Sequence, residues 1–241
     1  EALNMVANTL FGVAALLTSY AAIFVGVHLP VFPLREVHVR GTLAFVTAAQ
    51  IEEVARNALK GNFFTLDLAA ARVAFGKLPW VRKVTVRREW PDRLVLVVEE
   101  HQPVARWGNV ALVNDHGEVF EGEYDGKLPV FIGPIGSAKE ITIQYALFHR
   151  SLAQIGKVPV QVQVSPRRAW QVRLEDGLTI ELGREQIEAR LARFVASYAR
   201  TLGALQRRVD HVDLRYANGF AVRIPELRSE KSGPRGAKGA I

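Results

Sequence analysis

No cysteine occurs among the 241 residues, which excludes a disulfide framework, a thiolate metal site and a cysteine nucleophile. The histidines, at positions 28, 38, 101, 116, 149 and 211, include no HExxH or other metal-ligand spacing, and no GxSxG, P-loop or GxGxxG sequence is present. Glu99 and Glu100 are the best acid pair by proximity, but adjacent residues of a strand point to opposite faces and cannot share one site. The stretch "NDHGE", 114–118, has the Asn, Asp and Gly of a turn between strands. Nothing here is positive evidence for an enzyme, and neither a cofactor nor a metal is expected. A net charge of +7 would suit nucleic acid, yet the 31 Lys and Arg are mixed with 24 Asp and Glu over all segments. No helix carries a basic stripe with interleaved aromatics, so nucleic-acid binding is not expected.

Charge is also missing from one long segment. Between Glu1 and Arg35 there is no Asp, Glu, Lys or Arg, and Val6 to Leu29 is mostly apolar. As a helix rising 1.5 Å per residue it reaches about 36 Å, enough to cross a hydrocarbon core of about 30 Å. Asn8, Thr9, Thr18, Ser19 and Tyr20 are scattered rather than gathered on a polar face, unlike a soluble core helix. The apolar run also exceeds the roughly 7 to 15 residues of a signal peptide. Residues 1–30 therefore read as a transmembrane anchor with its span at 6–29. Because the sequence opens on Glu1 rather than Met, an N-terminal cytoplasmic tail is expected to be missing from it.

The remaining residues share in a 49% hydrophobic content, ample for real cores, and read as two modules. In the first, 34–101, "REVHVRG" is a strand. Thr47 to Leu59 is a helix opened by a capping box of Thr47 and Gln50, with Ile51, Val54, Ala55, Ala58 and Leu59 on one face. A short helix is expected from Asp67 to Phe75, stopped by Gly76 and Pro79, and then a hairpin turning at Pro91-Asp92. This β-α-α-β-β order, closed by "LPWVRKVTVRREWPDRLVLVVEEHQPVARW", resembles a POTRA domain.

The second module, 103–225, begins with short strands "VARWG", "VALVND", "EVFEG" and "LPVFIG". A helix is expected from Ser137, with a capping box to Glu140 and an apolar series Ile141, Tyr145, Phe148, Leu152 and Ile155. The strands "VQVQVS", "AWQVRLED" and "LTIELG" follow. A long helix is expected from about Arg184 to Leu205, with Ile187, Leu191, Phe194, Val195, Tyr198, Leu202 and Leu205 on its apolar face. The fold class is α+β: one transmembrane helix, a POTRA-like unit, and a mixed domain with a mainly antiparallel sheet and two helices. Residues 226–241 are too polar and glycine-rich to fold and read as a disordered tail.

In that order, the anchor, the POTRA-like unit, "AWQVRLEDGLTIELGREQIEARLARF" and "HVDLRYANGFAVRI" resemble the FtsQ/DivIB family of bacterial cell-division proteins. The resemblance implies a bitopic inner-membrane protein at the division septum, its C-terminal part periplasmic, that joins FtsB and FtsL without catalysis of its own. Other divisome proteins would meet the POTRA-like unit or the anchor. A POTRA-bearing chaperone or transport component for outer-membrane proteins is the alternative, although it would more often carry several such units.

Where function lies in surfaces, the last strand is the clearest candidate. A two-residue Asn218-Gly219 turn would pair Arg215 with Val222 and mix charge with core. A three-residue loop, Ala217-Asn218-Gly219 with Gly219 left-handed, pairs Tyr216 with Phe220, Leu214 with Val222 and Val212 with Ile224, and sets Asp213 opposite Arg223. The second register is expected. Phe220, Ala221, Val222, Arg223 and Ile224 would then form an open edge, guarded by Arg223 and Pro225. The residues fit either a short ordinary edge or one that accepts a partner strand, and the family resemblance favours the second. It also implies partner-binding roles for Arg215, Tyr216 and Gly219, and a weaker one for Arg168, expected on a strand just before Trp170. Some family members carry Trp where this chain has Ile224.

Overall fold

The computed structural model describes residues 2–28, 32–205, 208–216 and 219–225. The expected tail 226–241 and the turn residues Ala217 and Asn218 lie outside these. The described chain divides into two compact units, Glu1–His101 and Gln102–Ile241.

The first unit opens with α1, Ala2–His28. From Asn4 onward α1 is long and apolar enough to cross a membrane, and none of that stretch is buried against protein. The hydroxyls of Thr9 and Thr18 donate to the carbonyls of Met5 and Ala14, so neither would enter lipid unpaired. After it come β1 (Glu36–Arg40), α2 (Ala48–Ala58), α3 (Leu68–Phe75), β2 (Val81–Glu89) and β3 (Arg93–Glu100). The strands lie in the order β1-β3-β2, with β1 parallel and β2 antiparallel to the central β3. Thr47 and Gln50 form a reciprocal capping box at the start of α2, and Asp67 caps α3 by accepting from Ala69 and Ala70. These caps orient both helices so that Ile51 and Phe75 meet Val81, Val84, Leu96 and Val98 in one core.

The second unit contains β4 (Pro103–Trp107), β5 (Ala111–Asn114), β6 (Val119–Phe120), β7 (Val130–Ile132), α4 (Ala138–Ala153), β8 (Pro159–Val164), β9 (Trp170–Leu174), β10 (Thr179–Gly183), α5 (Ile187–Tyr198), β11 (His211–Asp213) and β12 (Ala221–Arg223). They build one sheet in the order β12-β11-β10-β9-β8-β7-β4-β5-β6. It is mainly antiparallel; β10 with β11, β4 with β7 and β7 with β8 are the parallel pairs. α4 packs on β8 and α5 on β10, and the two helices touch each other. Phe148, Leu152, Leu191 and Phe194 thereby meet Val162, Val172, Ile180, Leu182 and Val212. Gln171 and Glu181, from alternate positions of β9 and β10, hydrogen-bond on the other, polar face.

Two of the expected helices differ at their ends. The Ser137 hydroxyl donates backward to the Pro134 carbonyl at 2.7 Å instead of capping α4, and Glu140 turns away to an ion pair with Arg168. The long helix expected from Arg184 to Leu205 is shorter: Gln186 is left-handed (φ 52°) just before α5 begins at Ile187. Thr201 (φ −113°, ψ −92°) leaves helical geometry, and a short 3₁₀ turn, Leu202–Ala204, brings Leu202 into the core.

Candidate functional site

Val212 is fully buried, and its strand β11 lies parallel on β10 with Thr179 opposite His211, Ile180 opposite Val212 and Glu181 opposite Asp213. β12 then runs antiparallel along β11 as the last strand of the sheet. Its register is His211 with Arg223, Val212 with Val222 and Asp213 with Ala221. This corrects the expected register by two residues: Val222 faces Val212 rather than Leu214, and Tyr216 and Phe220 are not a ladder pair. The reason lies at Asp213. Its Oδ1 accepts from the Arg215 backbone N–H at 3.0 Å, closing a side-chain turn that ends the strand, while Leu214 donates to the Glu181 carbonyl and stays on β10. A slip of two leaves the paired residues of β11 and β12 on their expected faces, whereas Tyr216 falls beyond the strand.

Arg223 therefore does not oppose Asp213. It stands opposite His211, and its Nε approaches Asp210 Oδ1 at 3.3 Å. The Arg223 carbonyl accepts from Asp210 N–H. Arg223 thus aims its main chain inward, and by the alternation of a strand Val222 aims its N–H and C=O outward. All three residues of β12 are exposed, and Ala221 shares the Asp213 face, away from the core. Phe220 anchors the strand by an edge-to-face contact with Phe194 of α5, centroids 5.8 Å apart. Ile224 is half-buried just past the strand, Tyr216 is exposed, and Gly219 helps line a hollow of about 230 Å³ with Phe194, Leu214 and Phe220, rimmed by Arg190, Arg193 and Ser197.

Arg215 lies two residues past the end of β11. Its Nε and Nη2 grip Asp213 at 2.9 and 2.6 Å. Hydrogen bonds from Arg215 hold the Asp213 carboxyl below the usual carboxylate range, although burial pushes it up. A depressed acid stabilises the fold above its unfolded value of about 3.9 and loses that contribution as pH falls through the folded value. The excess stability of the wild type over Asp213→Asn should therefore be present at neutral pH and shrink below about pH 4. Urea midpoints across that range test this, and a pH-independent difference would contradict it.

Arg215 also lines a depression with Ser165, Arg167, Arg184 and Arg190, in which Glu185 is the one acid among the described residues. These three arginines were not among the sequence candidates. They come from the β8–β9 turn, the end of β10 and α5, and only the sheet brings them together; the repeated Arg of "LGREQIEARL" was the available signal. Gly183 makes the approach possible. With φ +77°, a Cβ there would lie 3.0 Å from Arg215 Cγ and 2.7 Å from Arg190 Nη1. Arg168 differs from expectation: it occupies the β8–β9 turn rather than a strand, left-handed at φ 64°, and pairs with Glu140 of α4. The Ser165 carbonyl accepts its N–H at 2.8 Å and fixes that turn.

Comparison with known proteins gives a consistent picture. Residues 32–101 match the family described as POTRA domain, FtsQ-type, and residues 105–215 match Cell division protein FtsQ/DivIB, C-terminal. The Cell division protein FtsQ of Nitrosospira multiformis is 47% identical over 92% of this chain and 97% of its own length. That of Burkholderia pseudomallei is 40% identical over 98% and 97%, and that of Neisseria gonorrhoeae 36% over 83% and 85%.

Proposed function

The chain belongs to the FtsQ/DivIB family of cell-division proteins, and we propose that it acts as a noncatalytic adaptor that binds FtsB and FtsL at its C-terminal sheet edge. In this reading α1 anchors the chain once in the inner membrane, and both folded units lie in the periplasm at the septum. The observation that carries the reading is β12, a terminal strand exposed at every residue, with Val222 turned outward. A partner strand would take the Val222 N–H and C=O and extend the sheet. The depression holds four arginines, Arg167, Arg184, Arg190 and Arg215, against the acid Glu185, and that excess favours an acidic stretch in the partner. The hollow beside Phe220 offers a place for one of its apolar side chains.

A photo-crosslinker at Ala221, whose side chain points away from the core, tests the edge in the full chain co-purified with FtsB and FtsL. The control position is exposed Val119 on β6, the opposite edge of the same sheet. Crosslinks to FtsB or FtsL at 221 and not at 119 are expected. A complex that forms without any crosslink at 221 would remove β12 as the binding edge.

A further inference from the structure

The first unit gathers three large aromatic side chains at the end from which α1 emerges. Asn62 Nδ2 donates to the Val27 carbonyl in the last turn of α1 at 2.7 Å, and Phe63 N–H donates to the Phe32 carbonyl at 3.0 Å. The loop between α2 and α3 is thus strapped to the exit of the apolar helix. Arg88 of β2 holds the other side of that loop, donating to the carbonyls of Phe63 (2.6 Å), Phe64 (3.2 Å) and Leu66 (2.6 Å). Two residues beyond Arg88, at the tip of the β2–β3 hairpin, Trp90 is 80% exposed. The Asp92 carbonyl at the same tip accepts from Arg35 N–H, just before β1. Phe32 and Phe64, each 42% exposed, pack edge to face with centroids 5.1 Å apart. The segments that meet here carry Arg35, Lys60, Arg87, Arg88 and Arg93 against the acids Glu36, Glu89 and Asp92; Arg35 pairs with Asp92 and Arg93 with Glu36.

From Val6 to Val27 a helix rises about 32 Å, close to a hydrocarbon core of about 30 Å, so the Val27 carbonyl lies near the headgroup boundary. Whatever is tied to that carbonyl is held at the same depth. Tryptophan and phenylalanine with an excess of cations are the composition that partitions into this layer, the rings at the boundary of headgroups and acyl chains and the cations on anionic phosphates. We propose that this end of the first unit is a lipid-docking surface, in which Trp90, Phe64 and Phe32 seat in the headgroup layer of the bilayer that α1 crosses. The inference rests on the reading of α1 as an anchor. Such seating would restrain the unit relative to the membrane, which a flexible tether alone would not.

Tryptophan emission reports on it directly, because α1 contains no tryptophan and the four present are Trp80, Trp90, Trp107 and Trp170. The full chain is placed in phosphatidylethanolamine–phosphatidylglycerol vesicles whose acyl chains are brominated close to the headgroup. Flotation with the vesicles checks the anchor. Bromolipid quenching of the wild type is expected to be lost in Trp90→Phe and weakened in Phe64→Ser, with circular dichroism unchanged in both. A chain that does not float overturns the anchor reading and this inference together. A chain that floats with the Trp90 emission unquenched overturns the docking surface alone. So does Trp90 emission that changes only when FtsB and FtsL are added, since the occupant would then be protein.

Discussion

Replacing Val222 with proline is expected to abolish strand addition at β12 while leaving the second unit folded. The Arg223 carbonyl is bonded to Asp210 N–H, so the Val222 N–H points outward and takes no part in the ladder with β11. Proline deletes that donor, sets its ring in the path of an incoming carbonyl, and is tolerated on an edge strand whose N–H faces solvent. A partner carbonyl left unpaired in the contact costs about 1–3 kcal/mol, roughly 5-fold to 150-fold in Kd, and the steric block adds to it. Ala221→Pro is the contrasting variant, because Ala221 aims its main chain at Asp213 and the change would loosen β12 from the sheet. Titration of FtsB–FtsL onto both variants, with melting curves alongside, separates loss of the contact from loss of the fold. Unchanged affinity in Val222→Pro would show that the partner docks elsewhere.

Glu100→Ala is expected to destabilise the first unit by about 3–5 kcal/mol, a large part of the 5–15 kcal/mol that holds a typical domain folded. Glu100 is 5% exposed and sits inside a nest of main-chain amides. Its Oε2 accepts from Ala44 at 2.7 Å and Phe45 at 3.2 Å, and its Oε1 from Phe45 at 3.2 Å and Val46 at 2.7 Å. Those residues lead directly into the Thr47 cap of α2, so one carboxylate pins the segment that starts the helix. Its removal takes the carboxylate from all three amides, and the Val46 N–H lies where water reaches poorly. Glu100→Gln keeps one carbonyl oxygen but turns an NH2 toward a donor, so it should lose an intermediate amount. Trp80 stacks on Phe45 at 3.9 Å and gives a fluorescence signal from the same corner during urea unfolding. An unshifted midpoint would mean that the nest is solvated without cost. Because Glu100 lies in the other unit from β12, partner binding at the edge should survive wherever the first unit remains folded.

Local patterns reached a good part of this chain. The uncharged run before Arg35, the Thr47–Gln50 box and the series from Ile187 to Tyr198 act over one or two turns of helix, where neighbours in sequence are neighbours in space. Leu191 and Phe194 of that series are buried as their spacing requires. The same kind of signal misled at Ser137, whose hydroxyl found the Pro134 carbonyl, while Glu140 found Arg168 from a distant turn. A capping residue offers one hydrogen bond of modest strength, and a competing partner supplied by the rest of the fold is enough to redirect it. In sequence Glu100 reads only as half of an adjacent acid pair, since nothing near it marks three amides folding back from residues 44–46.

The terminal hairpin divides along the same line. Alternation in "VDLRYANGFAVRI" correctly put Val212 and Val222 on one face and Ala221 on the other, because a strand repeats every two residues whatever its partner. Registers two residues apart satisfy that alternation equally, and the choice between them was made by Asp213 closing on Arg215 and by Leu214 bonding to β10. The arginine depression has the same origin: Arg167, Arg184, Arg190 and Arg215 meet because β9 and β10 pair and α5 crosses behind them. Periodicity constrains the direction in which a side chain points. Which distant group it meets depends on strand pairing and on competition among hydrogen-bond partners that are far apart along the chain.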